Sequence, residues 1–304
     1  MKPKVIVIAG PTASGKTSLS IELAKQINAE IVSADSMQIY KDMNIGTAKP
    51  TKEEMGQIKH YMIDFVSPQT RYSVSQYKKD ALMCIEEIIQ KGKTPIVVGG
   101  TGLYIDSLIY GIEFQEMPVD MEYRNELNKK ADEGKLKELY DEACKIDPEA
   151  MKIISQNDRK RIIRVLEIYK QTGKTKTQQN IESRQNEVPY DYIVFAINMD
   201  REKLYDRINK RVDIMLENGL IEEVKALVNK YDNIQTAMQS LGYKEVVEYL
   251  GNEITKEEMI EKIKMESRRY AKRQLTWFRK NKEIIWIDGL AMQQENIDKI
   301  LECL

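Results

Sequence analysis

Eight consecutive residues near the amino end, Gly10, Pro11, Thr12, Ala13, Ser14, Gly15, Lys16 and Thr17, constrain this chain more than any other feature. They satisfy GxxxxGK[ST] at every fixed position. The context is the one in which that pattern works: a β-branched run at residues 4–9 (KVIVIA) stops at Gly10, and an amphipathic stretch from Lys16 to Asn28 follows at once. Strand, glycine loop and helix in this order aim backbone N–H groups, the positive end of the helix and a lysine at one point. The ligand predicted there is a di- or triphosphate with Mg2+, to which Thr17 offers its hydroxyl. The motif does not say which molecule carries the phosphates.

Alternation of strand and helix continues beyond the loop. Strands are predicted at Glu30–Ser33, His60–Val66 and Thr94–Val98, with a helix at Val74–Gln90 whose Leu82, Ile85, Ile88 and Ile89 are apolar. Such a pattern implies right-handed βαβ units and a mostly parallel sheet flanked by helices, an α/β fold. From Glu113 the pattern changes to charged helical segments broken by Gly134, Pro148, Gly173 and Pro189, almost without β-branched runs. The expected organisation is therefore a core of residues 1–112 and 190–304 with an all-helical insertion domain at 113–189. Within the insertion Thr172–Glu187 is polar enough to be a mobile loop. Strand character returns at Asp191–Asn198 and again at Glu283–Ile287.

A nucleotide-hydrolysing P-loop protein is expected to carry a second signature, a buried strand ending in aspartate. Here the best buried strand, Pro95–Val98, runs instead into Gly99-Gly100-Thr101-Gly102, a turn that either admits a ligand close to the backbone or packs tightly for its own sake. The carboxylate at that edge of the sheet is Asp35, which could serve as a magnesium ligand, a general base or a cap on the following turn. The 47 basic and 48 acidic residues nearly cancel, so any nucleic-acid surface must be local. Three clusters qualify: Arg159-Lys160-Arg161 with Arg164, the i,i+4 ladder Lys203, Arg207 and Arg211, and nine basic residues between Lys262 and Lys282. Solvated helix faces are the ordinary fate of such charges. Trp277 and Phe278 could stack bases, although aromatics at the end of a long amphipathic helix are more often core. Cys84, Cys144 and Cys303 form no CxxC pair and the single histidine, His60, joins no metal-ligand spacing, so a zinc-free protein of a reducing compartment is expected. The only early apolar run is too short for a signal peptide or a membrane span, so a cytoplasmic protein is expected.

Taken together, GPTASGKT at 10–17, DSMQIY at 35–40, IGTAKP at 45–50, VGGTGLY at 98–104, DRKRIIRVLE at 158–167, GYKE at 242–245 and RRYAKRQLTWFR at 268–279 resemble the bacterial tRNA dimethylallyltransferases. Lys59-His60 departs from the histidine pair common in that family. The resemblance implies a P-loop NTPase-like core, a helical insertion gripping the anticodon stem-loop of tRNA, and dimethylallyl diphosphate as donor, the loop holding a leaving group without NTP hydrolysis. It implies transfer to the N6 amine of the adenosine next to the anticodon, in tRNAs reading codons that begin with uridine. It further implies that residues 12–17 bind the diphosphate with Mg2+, that Arg207 clamps it, and that Asp35 is the general base. Ser36, Met37 and Gln38 match the base-recognition segment, Thr101 and Arg124 match tRNA contacts, and Arg159, Lys160, Arg161, Ile162 and Ile163 match a tRNA-binding stretch. No membrane association and a monomeric state are expected. The alternatives are a P-loop kinase of a nucleoside or small metabolite, which leaves two basic clusters without purpose, and a non-catalytic RNA-binding module.

Overall fold

The computed structural model describes residues 2–114, 120–184 and 187–304, with the side chains of Gln235 and Thr236 left aside. The chain divides into two units, one of residues 1–109 with 188–304 and one of Tyr110–Glu187. Along the chain, β1 (Lys4–Ala9) leads through the glycine loop into α1 (Lys16–Gln26), β2 (Ala29–Ser33) and β3 (His60–Tyr61). Then come α2 (Val74–Gln90), β4 (Thr94–Gly99) and α3 (Gly102–Ile109). The second unit holds α4 (Met121–Lys130), α5 (Leu136–Ile146), α6 (Arg159–Thr172) and α7 (Lys176–Glu182). The first unit resumes with β5 (Asp191–Asn198), α8 (Arg201–Glu217), α9 (Leu220–Lys230), α10 (Tyr243–Leu250), α11 (Lys256–Phe278), β6 (Ile285–Asp288) and α12 (Gln293–Leu301).

The six strands form one parallel sheet in the order β3-β2-β4-β1-β5-β6. Side chains of β1 alternate between two buried faces. Val5, Val7 and Ala9 pack with Tyr77, Ile85 and Ile88 of α2 and Leu108 of α3, while Ile6 and Ile8 pack with Leu19 and Leu23 of α1 and Ile297 and Ile300 of α12. A strand covered on both sides reads as an unbroken apolar run, which is what KVIVIA is. The order β2-β4-β1 has a functional consequence. It sets the loops leaving the carboxyl ends of three neighbouring strands, those with Asp35, Gly99–Gly102 and Gly10–Lys16, along one edge of the sheet.

Two local expectations are corrected. The strand expected over His60–Val66 pairs with β2 only at His60 and Tyr61. Met62 and Asp64 take φ of 61° and 60°, outside the strand region, and the chain turns to donate from Asp64 and Phe65 N–H to the carbonyls of Gln38 and Ile39, with a bridge from Tyr40 to Val66. The loop expected over Thr172–Glu187 contains α7, nucleated by a capping box in which Thr175 and Gln178 satisfy each other's backbone N–H; Gln185 and Asn186 lie outside the described residues.

The helical unit has its own core, with Leu127, Leu139, Ala143, Ile162, Ile163, Val165 and Leu166. Buried Asp147 ties α7 to that core by accepting from Ala150 N–H, Thr177 N–H and the Thr177 hydroxyl. Near its two ends Glu113 N–H donates to the Ser183 carbonyl. No described helix is long and apolar enough to cross a membrane.

Candidate active site

The glycine loop is wound by its own sequence. Gly15 adopts φ +93°, a conformation costly for residues with a β-carbon, and this lets the chain enter α1 with its N–H groups pointing into the loop. Inside the loop the Pro11 carbonyl accepts from Lys16 Nζ at 2.6 Å and from Ser14 Oγ at 2.8 Å. The Lys16 ammonium is pushed down to about 7, by burial first and by the Arg211 guanidinium second, with Asp35 acting the other way.

Asp35 stands just past β2, where Ala34 is pinned between two strands' loops: its N–H donates to the Val98 carbonyl and its own carbonyl accepts from Thr101 N–H. One carboxylate oxygen, Oδ1, accepts from Met37 N–H at 2.8 Å and Gln38 N–H at 3.3 Å, so the cap reading of Asp35 holds for that oxygen. Asp35 also lines the cavity with Lys16 and Thr17. Thr101 Oγ1 accepts from Ser36 N–H at 3.0 Å and pairs with the Tyr270 hydroxyl. Burial and the charge of Asp35 hold that phenol well above its ordinary value. Gln38 is committed within the protein: Oε1 accepts from the Ser33 hydroxyl, and Nε2 donates to the carbonyls of Thr47 and Ala48.

These groups line a cavity of about 610 Å3 that lies wholly within the first unit. Its polar lining includes Lys16, Thr17, Asp35, Arg211 and Arg273, and its apolar lining includes Met37, Val212, Met215, Leu241 and Ile263. Of the ladder arginines on α8, Arg211 lines the cavity with Lys16, while Arg207, the clamp implied by the resemblance, stands beside the glycine loop. Both belong to the ladder on α8, but Arg207 is exposed, with Nη1 3.9 Å from where a β-carbon on Gly15 would lie, whereas Arg211 is one turn further along and lines the cavity. Burial lowers Arg211 from its ordinary value, and Asp35 and Glu54 oppose that.

Further lining comes from α8, α10 and α11, and α9 braces the loop that carries Gly46. Glu223 accepts from three successive N–H groups, Asn44, Ile45 and Gly46, and from the Tyr243 hydroxyl at 2.6 Å. Gly46 lies against the Tyr243 ring, where a β-carbon would come within 2.4 Å. On α11, buried Gln274 bridges two loops: Oε1 accepts from Thr12 N–H and Nε2 donates to the Gly100 carbonyl, both at 2.9 Å. The glycines at 99, 100 and 102 are required by packing, because β-carbons there would lie 2.1 Å from the Ala34 carbonyl oxygen, 2.1 Å from Gln274 Nε2 and 2.3 Å from Trp277 Cδ1. Trp277 donates to Asp106 and Phe278 is buried, so both aromatics belong to the core. Arg211, Gln274, Tyr270 and Glu223 are the site residues that sequence reasoning missed. Arg211 has a visible signal in its place in the ladder, and Tyr270 and Gln274 fall within the block at 268–279 that carries the resemblance, while Glu223 has none.

The remaining basic residues divide by their partners. In the helical unit Arg124 is held by buried Glu167 and Arg159 by Asp132 and Asn128, while Ile162 and Ile163 are core. Lys160, Arg161 and Arg164 are left on the outer side of α6, Arg161 and Arg164 with loose pairs of 3.4 Å to Asp158 and Glu167. Half-buried Lys176 is depressed by burial and by those two arginines. Of the third cluster, Lys262, Lys264 and Arg269 pair with Glu248, Asp213 and Glu266, so it is less basic than its sequence. Among the described residues no group of three His, Cys, Asp or Glu could hold a metal ion, and burial pushes the Cys84 thiol up to about 11.

Comparison with known proteins matches residues 38–281 to the model of the IPP transferase family. The chain is 54% identical over 285 residues to the tRNA dimethylallyltransferase of Acetivibrio thermocellus, covering 93% of this chain and 91% of that one. It is 50% identical to the tRNA dimethylallyltransferase of Halothermothrix orenii, covering 93% and 87%. Among solved structures it is similar to the full-length tRNA isopentenylpyrophosphate transferase of Bacillus halodurans, with a TM-score of 0.75, 41% identity and coverage of 99% and 95%. It is also similar to a eukaryotic dimethylallyltransferase acting on tRNA, with a TM-score of 0.80, 30% identity and coverage of 99% and 77%.

Proposed function

The chain belongs to the IPP transferase family, and we propose that it modifies tRNA by moving a dimethylallyl group from dimethylallyl diphosphate to the N6 amine of the adenosine 3′ of the anticodon. The observation that carries this reading is the cavity itself, in which a polyphosphate loop, a carboxylate and an apolar lining share one space. A prenyl diphosphate needs a loop for its charge and a greasy wall for its tail, and an amine acceptor needs a base. The kinase alternative is not favoured by the named relatives, and it gives Met37, Val212, Met215 and Leu241 nothing to hold.

In the reaction the allylic carbon–oxygen bond breaks, the electron pair leaves with the diphosphate, and the adenine nitrogen takes its place on carbon. Loop amides, Lys16 and Arg211 meet the charge that develops on the departing oxygen, in a site where those donors are already fixed. Asp35 accepts the proton released by the amine, through the carboxylate oxygen not used by Met37 and Gln38. Thr101, held by Ser36 and Tyr270, keeps its hydroxyl beside this group. Mg2+ suits the donor set: the Thr17 hydroxyl is the protein group that would hold it beside the diphosphate, and this ion ordinarily takes few protein ligands. The metal would neutralise charge on the leaving group. The extruded base is read by the 35–38 segment, and Gln38, with both amide hydrogens committed to Thr47 and Ala48, has only its Oε1 left to accept from it. Lys160, Arg161, Arg164 and Lys176 contribute phosphate contacts from the helical unit, and the work takes place in the cytoplasm, where tRNA is.

Transfer of radiolabelled dimethylallyl from its diphosphate to unmodified tRNA, with Mg2+ and without ATP, tests this. Asp35→Asn keeps the oxygen that caps Met37 and Gln38 but removes the charge, and should lower turnover by about 10² with little change in tRNA affinity. Label that does not depend on Asp35 would remove it as the base, and absence of label together with ATP consumption would restore the kinase.

A further inference from the structure

The glycine loop does not present all of its N–H groups to the cavity. Pro11 has none, and Thr12 N–H is taken by Gln274 Oε1 at 2.9 Å. Among the described residues no hydrogen bond uses the N–H of Ala13, Ser14, Gly15, Lys16 or Thr17. The orientation of the Gln274 amide is fixed by chemistry, since the Thr12 N–H needs an oxygen and the Gly100 carbonyl needs an N–H. Gln274 is 6% exposed, so no water competes freely for either bond.

We propose that Gln274 is the specificity residue that sizes this loop to a diphosphate: its amide closes the Thr12 end of the cradle, leaves the five amides from Ala13 to Thr17 for two phosphate groups, and withholds the donor a third would use. The inference rests on the donor reading above. It concerns a residue 262 positions away from the amide it occupies, on a helix outside the loop motif. Because the same side chain holds the Gly100 carbonyl, the length of the phosphate cradle is coupled to the backbone that carries Thr101. A third phosphate would have to displace the carboxamide from a buried bond and leave the Gly100 carbonyl unpaired, whereas a diphosphate displaces nothing.

The experiment is competition against dimethylallyl diphosphate in the transfer assay, with the full chain at constant excess free Mg2+, using inorganic diphosphate and inorganic triphosphate as probes. Wild type should prefer diphosphate by about tenfold or more, the worth of one hydrogen bond to a charged oxygen. Gln274→Met, of similar volume but with no acceptor, frees Thr12 N–H and should reduce that preference about tenfold, chiefly by tightening triphosphate. Gln274→Glu retains an acceptor for Thr12 and should keep the preference for diphosphate. If Gln274→Met does not fold, Gln274→Ala makes the same test. An unchanged ratio of the two inhibition constants in a folded variant lacking the acceptor overturns the proposal, and so does a wild type that binds both probes equally. A wild type that transfers the group but is inhibited by neither probe also overturns the proposal, whereas absence of transfer from dimethylallyl diphosphate would instead overturn the donor reading, and the two failures are thereby told apart.

Discussion

Lys16 gives the most informative perturbation, because its charge before the donor binds depends on pH within the working range. Its ammonium is held down to about 7 by burial and by Arg211, so above that pH the donor-free loop increasingly contains a neutral amine. A diphosphate needs the charged form. Binding to a state populated only in part weakens in proportion to its population, so kcat/KM for dimethylallyl diphosphate should fall about tenfold per pH unit above 7, or about a hundredfold by pH 9. Saturating donor restores the proton, so kcat should fall much less. Arg211→Gln removes the cation that opposes the proton and should move the descending limb to higher pH, even though the plateau drops as the diphosphate loses a partner. The sign for stability is the reverse of the usual lysine case. Between pH 7 and 10.5 the unfolded chain holds a proton on Lys16 that the folded protein does not, so this residue makes stability rise with pH across that window. Lys16→Met should remove that slope. The assay is initial-rate transfer at saturating tRNA from pH 6 to 9.5. A kcat/KM for donor that stays flat between pH 7 and 9, or a limb that does not move in Arg211→Gln, would refute the reasoning.

Two further outcomes are expected. Glu223→Ala strands three backbone N–H groups and the Tyr243 hydroxyl, and should lower unfolding free energy by about 2 kcal/mol or more in urea titration; a drop under about 0.5 kcal/mol would mean that water replaces the carboxylate. Neutralising Arg161 and Arg164 together should weaken tRNA binding and reduce the steepness of its salt dependence by about one for each phosphate no longer neutralised, as read by filter binding at several salt concentrations. An unmoved slope would return those arginines to an ordinary solvated face.

Much of this architecture is readable from sequence because its causes are local. β1, α1, α2 and β5 follow from apolar periodicity interrupted by glycine or a capping serine, and the structure places them within a few residues of expectation. β3 misleads because its continuation is apolar, Tyr61-Met62-Ile63, yet left-handed backbone at Met62 and Asp64 takes it out of the sheet. The helix at Lys176–Glu182 is hidden by a polar composition, though Thr175 and Gln178 carry the capping-box spacing that marks its start. Arg207 and Arg211 look alike on a helical wheel, and only the docking of α8 decides which lines the cavity. Glu223 carries no local mark, and Gln274 shows only that it lies in the block at 268–279, with nothing to say what it bonds. Their roles consist of bonds to backbone groups more than 170 positions away, and sequence patterns do not encode such meetings.

The long-range register of β1 also sets a timetable. One edge of β1 is covered by β4, with Ile6 opposite Ile96, but its other edge waits for β5, with Lys4 opposite Asp191. At ordinary rates of synthesis that edge, flanked by Ile6 and Ile8, stays open on the growing chain for roughly ten to forty seconds while the intervening strands and the helical unit are made. During this interval the unpaired strand is a hazard for misassociation. The phosphate cradle is finished later still, when Gln274 arrives to take Thr12. Prematurely terminated chains therefore carry the whole glycine motif without the side chain that closes its Thr12 end.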